Sequence, residues 1–297
     1  MKNLYGAIEA GGTKFVCAVG SSPDELYIER FDTTTPEETI SNTIKFFREQ
    51  DSKNRLTAIG IGSFGPIDLD KNSKTYGYIT STPKANWAYT DFVGPIKGEF
   101  DVPIGFDTDV NAASLGEHYW GAAKGLSDFI YLTIGTGIGG GGMLNRKLMH
   151  GLVHPEMGHI FIPLDPKDGY KGNCPFHHNR CFEGVASGPA IEKRWGKPAK
   201  DLGSSHEAWD LEAHYISLAL TNYICTLSPQ RIIIGGGVMR QRHLFPLIHE
   251  KTSKMLNDYI QANEIVNNIN TYIVPPELGE RAGILGAIAL AIQESEH

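Results

Sequence analysis

The chain of 297 residues is 41% hydrophobic and 21% charged, with a formal net charge of −7. A chain of this length and composition can bury a large core, which excludes intrinsic disorder and a small disulfide scaffold as descriptions of the whole protein. The acidic balance also argues against nucleic acid as the main partner, because phosphate backbones are bound by basic surfaces.

The first predicted elements are two strands joined by a tight turn. YGAIEA and FVCAVG are apolar, and they flank the glycine turn at 11–14. Pro36 and the spacing of the apolar residues that follow it predict a helix at about 36–50. LTAIGIGSF and VPIGFDTD are predicted buried strands, and the second leads into an Ala-rich helix, VNAASLGEHYWGAA.

The pattern of strand, glycine turn and returning strand recurs in the second half of the chain. FIYLTI at 129–134 is a predicted strand, GTGIGGG is the turn, and GMLNRKLM is the returning strand. RIIIGGGV at 231–238 predicts one more strand that runs into glycines, and a C-terminal helix is expected from about Ala282.

This repetition predicts two related α/β domains that face each other across a cleft. Their expected limits are residues 1–115 and 116–281, and the C-terminal helix at about 282–297 is expected to pack back on the first domain. No segment has the composition of a flexible linker, and residues 163–182 have the least periodicity.

Targeting and redox signals point to the cytoplasm. The opening MKNLYGAIEA has no signal-peptide core, and the longest apolar run, AGILGAIALAI, is about 11 residues and too short to span a bilayer. The 4 cysteines do not make a disulfide framework in a chain of this size. We therefore expect a cytoplasmic protein with reduced thiols and no membrane partner.

Three glycine clusters follow apolar strands, at 11–12, 135–142 and 235–237. Glycine lets backbone amides approach a phosphate closely, and successive amides form anion-binding turns. One such cluster alone would favour an ordinary tight turn, whereas three favour a nucleotide site. GTGIGG fits the dinucleotide pattern G-x-G-x-x-G, but glycines and a strand-like segment follow it instead of a helix, and a P-loop pattern is absent.

The segment Glu9-Ala10-Gly11-Gly12-Thr13-Lys14 resembles the phosphate motif of the ROK sugar kinases, members of the actin/hexokinase superfamily. The resemblance extends over nearly the whole chain and implies two ribonuclease H-like domains that bind ATP and Mg²⁺. Glu9 resembles the residue that meets magnesium through water, with a solvated strand end as the alternative. The implied ATP and phosphate contacts are Glu9, Gly11, Gly12, Thr13, Lys14, Thr136, Gly137, Gly188, Pro189, Gly235, Gly236, Gly237 and Val238.

A carboxylate for the reaction is expected where a predicted strand meets the Ala-rich helix. DTDVN at 107–111 places acidic residues at the carboxyl edge of a sheet, where α/β proteins bind ligands. The residue types alone leave open whether Asp107 and Asp109 only cap the helix. The resemblance to the N-D-x-N motif selects Asp109 as the general base that takes the proton of the sugar hydroxyl, with Thr108 where most relatives have Asn.

The resemblance also implies a set of sugar contacts from both halves of the chain. STPKANW at 81–87 is similar to a family segment T-P-N-x-x-x-W, although Trp87 is equally consistent with a core residue. The implied sugar-binding residues are Gly65, Pro66, Thr108, Asp109, Glu156, His159 and Glu183.

Four residues have the spacing of metal ligands: His159, Cys174, His177 and Cys181. Ligands two to four positions apart can bind one tetrahedral ion from a short loop, and a mixed thiolate and imidazole set suits zinc. His178 is an adjacent competitor for His177, and a free-thiol loop is the alternative without metal. We expect a structural zinc ion, because the protein fills all four positions.

The resemblance implies an ATP-dependent hexose kinase. Glu9 together with CPFH at 174–177 is similar to the bacterial fructokinase subgroup, so D-fructose and ATP are the expected substrates and D-fructose 6-phosphate and ADP the products. Glucose, mannose and N-acetylhexosamines remain alternative acceptors, and a homodimer is expected by analogy.

Two readings from other classes remain to be compared with a kinase. A sugar-responsive repressor of the same family would carry an N-terminal helix-turn-helix, for which the phosphate motif at Glu9 leaves no room. A non-catalytic sugar-binding protein would have a broken phosphate motif or no base, and both features are intact here.

Overall fold

The computed structural model describes residues 3–296. They form two compact α/β units, of which the first contains residues 3–124, 148–154 and 280–296. The second unit contains Gly125–Lys147 and Pro155–Gly279. Within the described residues, no helix combines the length and the apolar character needed to cross a membrane.

The strands are short and fall into three sheets. Their bounds are β1 Tyr5–Ala10, β2 Lys14–Ser22, β3 Glu25–Asp32, β4 Ala58–Ser63, β5 Tyr78–Ile79, β6 Thr90–Asp91, β7 Ile104–Thr108, β8 Phe129–Ile134, β9 Ile138–Leu144, β10 Lys147–Leu148, β11 Arg231–Gly235 and β12 Ile273–Val274. The first unit has a five-stranded sheet of order β3-β2-β1-β4-β7 and a small β5-β6 sheet, and the second has a five-stranded sheet of order β10-β9-β8-β11-β12.

The helices cover the sheets or connect their strands. Their bounds are α1 Pro36–Asp51, α2 Val93–Glu99, α3 Asp109–Trp120, α4 Phe182–Ala186, α5 Gly188–Trp195, α6 Ala208–Leu227, α7 Leu244–Leu256, α8 Asn263–Val266, α9 Ile269–Tyr272 and α10 Ala282–Ser295. The predicted boundary after residue 115 falls inside α3, and the division between the units comes after Lys124.

The two large sheets share one connectivity. In the first, β1 pairs antiparallel with β2 and parallel with β4, and β4 pairs parallel with β7. In the second, β8 pairs antiparallel with β9 and parallel with β11, and β11 pairs parallel with β12. Each unit thus has a hairpin followed by two parallel strands, which is the repetition that the sequence predicts.

Local sequence explains why α1 forms where it does. Thr35 caps the helix by accepting a hydrogen bond from the amide of Glu38, and Pro36 occupies the first turn, where its missing N–H costs nothing. Ile40 and Phe47 lie on the buried face of the helix. The predicted helix at about 36–50 is therefore confirmed.

The C-terminal helix α10 packs on the sheet of the first unit, against α3, β4 and β1. Glycines make this close approach feasible. A Cβ atom at Gly60 would overlap the carbonyl oxygen of Ala287, and one at Gly286 would overlap that of Ala112. The apolar run AGILGAIALAI is thus a buried core helix, as its length indicates.

An aromatic cluster fills the other side of the first sheet. Phe15 packs with Trp87 and Phe92 at ring-centroid distances of 5.6 Å in both cases. Trp87 is fully buried, and its Nε1 donates to the carbonyl of Thr34 at 2.9 Å. Of the two interpretations of Trp87, the structure supports a core residue.

The predicted glycine turn of the second unit is too long. Only residues 135–137 form the turn, whereas Gly139 to Gly142 lie in β9. A Cβ atom at Gly140 would come within 2.7 Å of Leu132 and Met157, and Gly142 has a φ of +151° beside the carbonyl of Phe129. These glycines therefore allow close packing against a strand, the usual role of glycine in a strand interior.

Candidate functional site

The junction between β7 and α3 carries the predicted general base. The hydroxyl of Thr108 accepts a hydrogen bond from the amide of Asn111 at 3.1 Å, so Thr108 caps α3. Asp109 is the first residue of the helix, and its Oδ1 accepts from the amide of Val110 at 2.9 Å. The suggestion that Asp107 or Asp109 is the helix cap is wrong, because the neighbouring threonine occupies that position.

Asp107 is a buried carboxylate at the end of β7. Its Oδ1 accepts from the amide of Thr108 at 2.7 Å and from Nδ2 of Asn111 at 2.9 Å. Its Oδ2 lies 2.8 Å from Nε2 of His150. The hydrogen bond to Asp107 is the main reason that the pKa of His150 is raised.

Glu9 and Asp109 form an acidic pair in the first unit. The pKa of Glu9 is raised to about 7, mainly by burial and next by the nearby charge of Asp109, while Lys14 and Arg30 act in the opposite direction. A Cβ atom at Gly283 would lie 2.6 Å from Cδ of Glu9, so α10 covers this carboxylate. Glu9 is therefore not a solvated strand end.

The turn between β1 and β2 is closed by few interactions. The amide of Gly11 donates to the carbonyl of Lys14 at 3.0 Å, and Oγ1 of Thr33 donates to the carbonyl of Gly11 at 2.7 Å. Gly12, Thr13 and Lys14 are exposed, and a Cβ atom at Gly12 would meet nothing within 4 Å. The turn therefore has room for an anion beside its backbone.

Gly65 and Pro66 follow β4, and the loop that contains them contacts the segment 148–154, which we call the strap. The ring of His154 on the strap is buried, and its Nε2 accepts from the amide of Ile67 at 3.2 Å. Its ring atoms lie 3.4 Å from the position of a Cβ atom at Gly65. The strap thus supports the predicted sugar-side loop.

Three predicted nucleotide segments meet in the second unit. The amide of Gly188, at the start of α5, donates to the carbonyl of Gly135 at 2.7 Å. The amide of Gly237 lies 3.7 Å from a Cβ position at Gly135, and Gly236 has a φ of +92° beside the backbone of Ile134. Thr136 and Gly237 are exposed. Pro189 and Val238 directly follow these glycines, in α5 and in a 3₁₀ turn at Val238–Arg240.

Glu183 connects the glycine turn of this unit with the predicted metal ligands. Its Oε2 accepts from the amide of Ile138 at 2.9 Å, and its Oε1 lies 3.9 Å from Nε2 of His159. Glu156 is exposed at the start of a 3₁₀ turn, and its carbonyl accepts from the amide of His159 at 3.0 Å. The three predicted sugar contacts of the second unit are therefore neighbours.

The four predicted metal ligands converge on one point. One donor atom each from His159, Cys174, His177 and Cys181 lies within 4.8 Å of every other. Sγ of Cys174 is 3.8 Å from Nδ1 of His159 and 3.6 Å from Nδ1 of His177, and Sγ of Cys181 is 3.7 Å from Nδ1 of His159.

These separations fit a tetrahedral ion. Zinc bonds of about 2.0–2.3 Å place tetrahedral ligands about 3.3–3.8 Å apart. His178 is exposed, with a φ of +57°, and is not among the four converging residues. Burial raises the pKa of the Cys181 thiol to about 12, because it disfavours the charged thiolate. A bound cation would stabilise that thiolate. The site can therefore hold a metal ion, and its donor set suits zinc.

Two histidines of the strap were missed as site residues by sequence reasoning. His154 is the first residue of the segment HPEMGH at 154–159, and His150 lies four positions before it, which was the available signal. Their partners, Asp107 and Ile67, are 43 and 87 positions away, so that nothing local indicates the contacts.

Comparisons with known proteins agree with this geometry. The model of the ROK family matches residues 5–294. A protein of Bacillus subtilis (strain 168) is 53% identical over 292 residues, covering 98% of this chain and 96% of that one, and the fructokinase of Streptococcus mutans is 45% identical over 296 residues, covering 98% of both. The crystal structure of the ROK hexokinase from Thermus thermophilus covers 100% of this chain and 99% of its own, with a TM-score of 0.79 and 23% identity. The predicted fold class is confirmed.

Proposed function

The chain belongs to the ROK family, and we propose that it is an ATP-dependent fructokinase that transfers the terminal phosphoryl group of ATP to O6 of D-fructose. The observation that carries the choice of sugar is its 45% identity, over nearly the full length of both chains, to a fructokinase. The acidic pair Glu9 and Asp109 beside an open glycine turn supports the chemistry.

Asp109 is the group that accepts the proton of the sugar hydroxyl. As the first residue of α3 it lies at a helix N-terminus, where the unpaired amides stabilise a carboxylate. It lies close enough to Glu9 for its charge to raise the pKa of that residue, because two like charges disfavour ionisation. A carboxylate at this position can take the proton of the sugar hydroxyl in the transition state.

The backbone amides of the glycine turns bind the phosphates. The turn at 11–14 and the segment 135–137 follow the first strand of each sheet, and Gly188 and the segment 235–238 adjoin the second turn. Amides that are fixed by the fold stabilise developing negative charge without reorganisation. Mg²⁺, held through Glu9, would neutralise charge on the transferred group.

Residues that we propose as sugar contacts occur in each unit taken by itself. Gly65, Pro66 and Thr108 come from the first unit, and Glu156, His159 and Glu183 from the second. Zinc would be held by His159, Cys174, His177 and Cys181, and its role is structural. The ion fixes the loop that ends at Cys181, two positions before Glu183 in α4.

We further propose that the protein is a cytoplasmic homodimer. The four cysteines are free, and a reducing compartment keeps the cluster thiols available for metal. The dimer rests on the family resemblance.

A coupled assay of ADP release tests the function. ATP, magnesium and a panel of fructose, mannose, glucose and N-acetylhexosamines are supplied, and Asp109→Asn is expected to lower kcat by a factor on the order of 10²–10⁴. Asp101→Asn, an exposed aspartate of the same unit, serves as the control. Turnover of another sugar would replace fructose in the proposal, and a wild-type protein without turnover on any sugar would overturn it.

A further inference from the structure

The strap contacts both loops of the first unit that the resemblance assigns to the sugar. Its first histidine, His150, meets Asp107 at the end of β7, just before α3, with 2.8 Å between Nε2 and Oδ2. Its second, His154, meets the loop after Gly65 through the amide of Ile67. All of these residues belong to one compact unit, so the contacts are internal to it.

Asp107 is bonded to residues on either side of the proposed base. Its carboxylate accepts from the backbone amide of Thr108, one position before Asp109, and from the side-chain amide of Asn111, two positions after it. Nδ2 of Asn111 also lies 3.3 Å from the carbonyl of Met149 and 3.4 Å from Nε2 of His150. The strap therefore meets the first turn of α3 at a polar cluster in which Asp107 is the central acceptor.

His150 does not fill the core, and it is the group that faces Oδ2 of this carboxylate. Without it, Oδ1 of Asp107 keeps the donors of Thr108 and Asn111, and Oδ2 loses the contact at 2.8 Å. The side chain of His150 is 45% exposed, whereas that of Asp107 is 4% exposed. The residues between the two strap histidines, Leu152 and Val153, are exposed as well. Polar contacts of its two histidines thus help to hold the strap in this unit.

We propose that His150 is a positioning residue for the base that acts on the acceptor sugar. His150 acts through Asp107 on the first turn of α3 and so on Asp109. This inference rests on the proposed function, in which Asp109 takes the proton. A general base must lie within about 2.6–3.2 Å of that proton's oxygen, and a displacement of about 1 Å can cost about a hundredfold in rate. An additional donor on the buried Asp107 restricts such displacement.

The test compares two substitutions of His150 on the sugar that the wild-type protein phosphorylates best. His150→Ala is expected to lower kcat about tenfold or more while KM for ATP changes less than about twofold. His150→Gln keeps a nitrogen donor near the position of Nε2 and is expected to recover kcat to within about threefold of wild type. His214→Gln, a partly exposed histidine on α6 of the second unit, is the matched control.

A double-mutant cycle with Asp107→Asn separates an indirect role from direct contact with the sugar. If His150 acts through Asp107, adding His150→Ala to Asp107→Asn lowers kcat by less than about twofold further. Independent, multiplying effects would overturn the proposal, as would a His150→Ala protein with the kcat of wild type. A loss of thermal stability without a change in kcat would show a structural role and also overturn it.

The outcomes distinguish this inference from the proposed function. If the wild-type protein phosphorylates no sugar of the panel, the function fails and the inference fails with it. If the wild-type protein is active and His150→Ala is equally active, only the positioning role fails.

Discussion

The turn between β1 and β2 and the turn between β8 and β9 occupy the same place in two sheets of one connectivity, yet their surroundings differ. In the first unit the nearest acid, Glu9, comes from the strand itself and faces Asp109, and the turn stays open at Gly12. In the second unit the acid is Glu183 of α4, which accepts from the amide of Ile138 at the end of the turn.

The difference shows that the chemistry of each turn depends on elements that come later in the chain. Glu183 directly follows the loop of the metal ligands, and its other oxygen faces His159. The second turn is therefore tied to the metal cluster, whereas the first is tied to the start of α3. We expect metal removal to disturb the second turn and pH to act mainly on the first.

Metal loss gives the largest expected effect. Cys174→Ser is expected to lower the zinc content from about one ion per chain to near zero, because a structural site needs all four ligands. Removal of the ion also frees His159 and the Glu183 that faces it, so kcat/KM is expected to fall about 10- to 100-fold. Atomic emission spectroscopy and the coupled assay measure both quantities.

Cys225→Ser is the matched control for this substitution. Cys225 is a free, exposed cysteine on α6, and it is not among the four converging residues. Its substitution should change neither zinc content nor activity. Full activity of a Cys174→Ser protein that is verified to be zinc-free would contradict the link between the metal and the second turn.

The pH dependence of stability tests the first turn. Because the pKa of Glu9 is raised to about 7, the folded chain binds more protons than the unfolded chain between pH values of about 4.5 and 7. The free energy of unfolding is therefore expected to fall as pH rises through this range, by up to about 3 kcal/mol. Urea unfolding at pH 5 and pH 8 measures the difference.

Glu9→Gln is expected to remove this part of the pH dependence, because a buried amide does not titrate. Glu192→Gln, an exposed glutamate on α5 of the second unit, should leave it unchanged. An unaltered pH dependence of stability in Glu9→Gln would show that Glu9 is not its source.

Local sequence was sufficient for the framework of both regions. The predicted strand at 129–134 agrees with β8 in both bounds, and the C-terminal helix begins at Ala282 as expected. The four converging cysteines and histidines could be predicted because three of them lie within eight positions of one another in one loop. Such periodicity and spacing can be recognised within a short stretch of sequence, without knowledge of distant contacts.

The contacts that finish the site could not be predicted in this way. Glu183 meets Ile138 across 45 positions and His150 meets Asp107 across 43, so both depend on how the sheet brings distant segments together. Thr108 took the cap position that the sequence also allowed to either aspartate, since all three residue types accept backbone amides. Which of the three residues caps α3 depends on where the backbone leaves β7 and the helix begins.

The smallest expected effect comes from adding one methyl group to each turn. Alanine at Gly12 meets nothing within 4 Å and should leave stability unchanged or raise it by about 0.4–1 kcal/mol, since it restricts the unfolded chain. Alanine at Gly137 would place its Cβ 2.8 Å from Oε2 of Glu183 and displace the oxygen that the amide of Ile138 needs. The lost hydrogen bond should cost about 1–2 kcal/mol in urea unfolding. Equal effects of the two substitutions would mean that Glu183 does not restrict the second turn, and the contrast between the two turns would then be one of sequence alone.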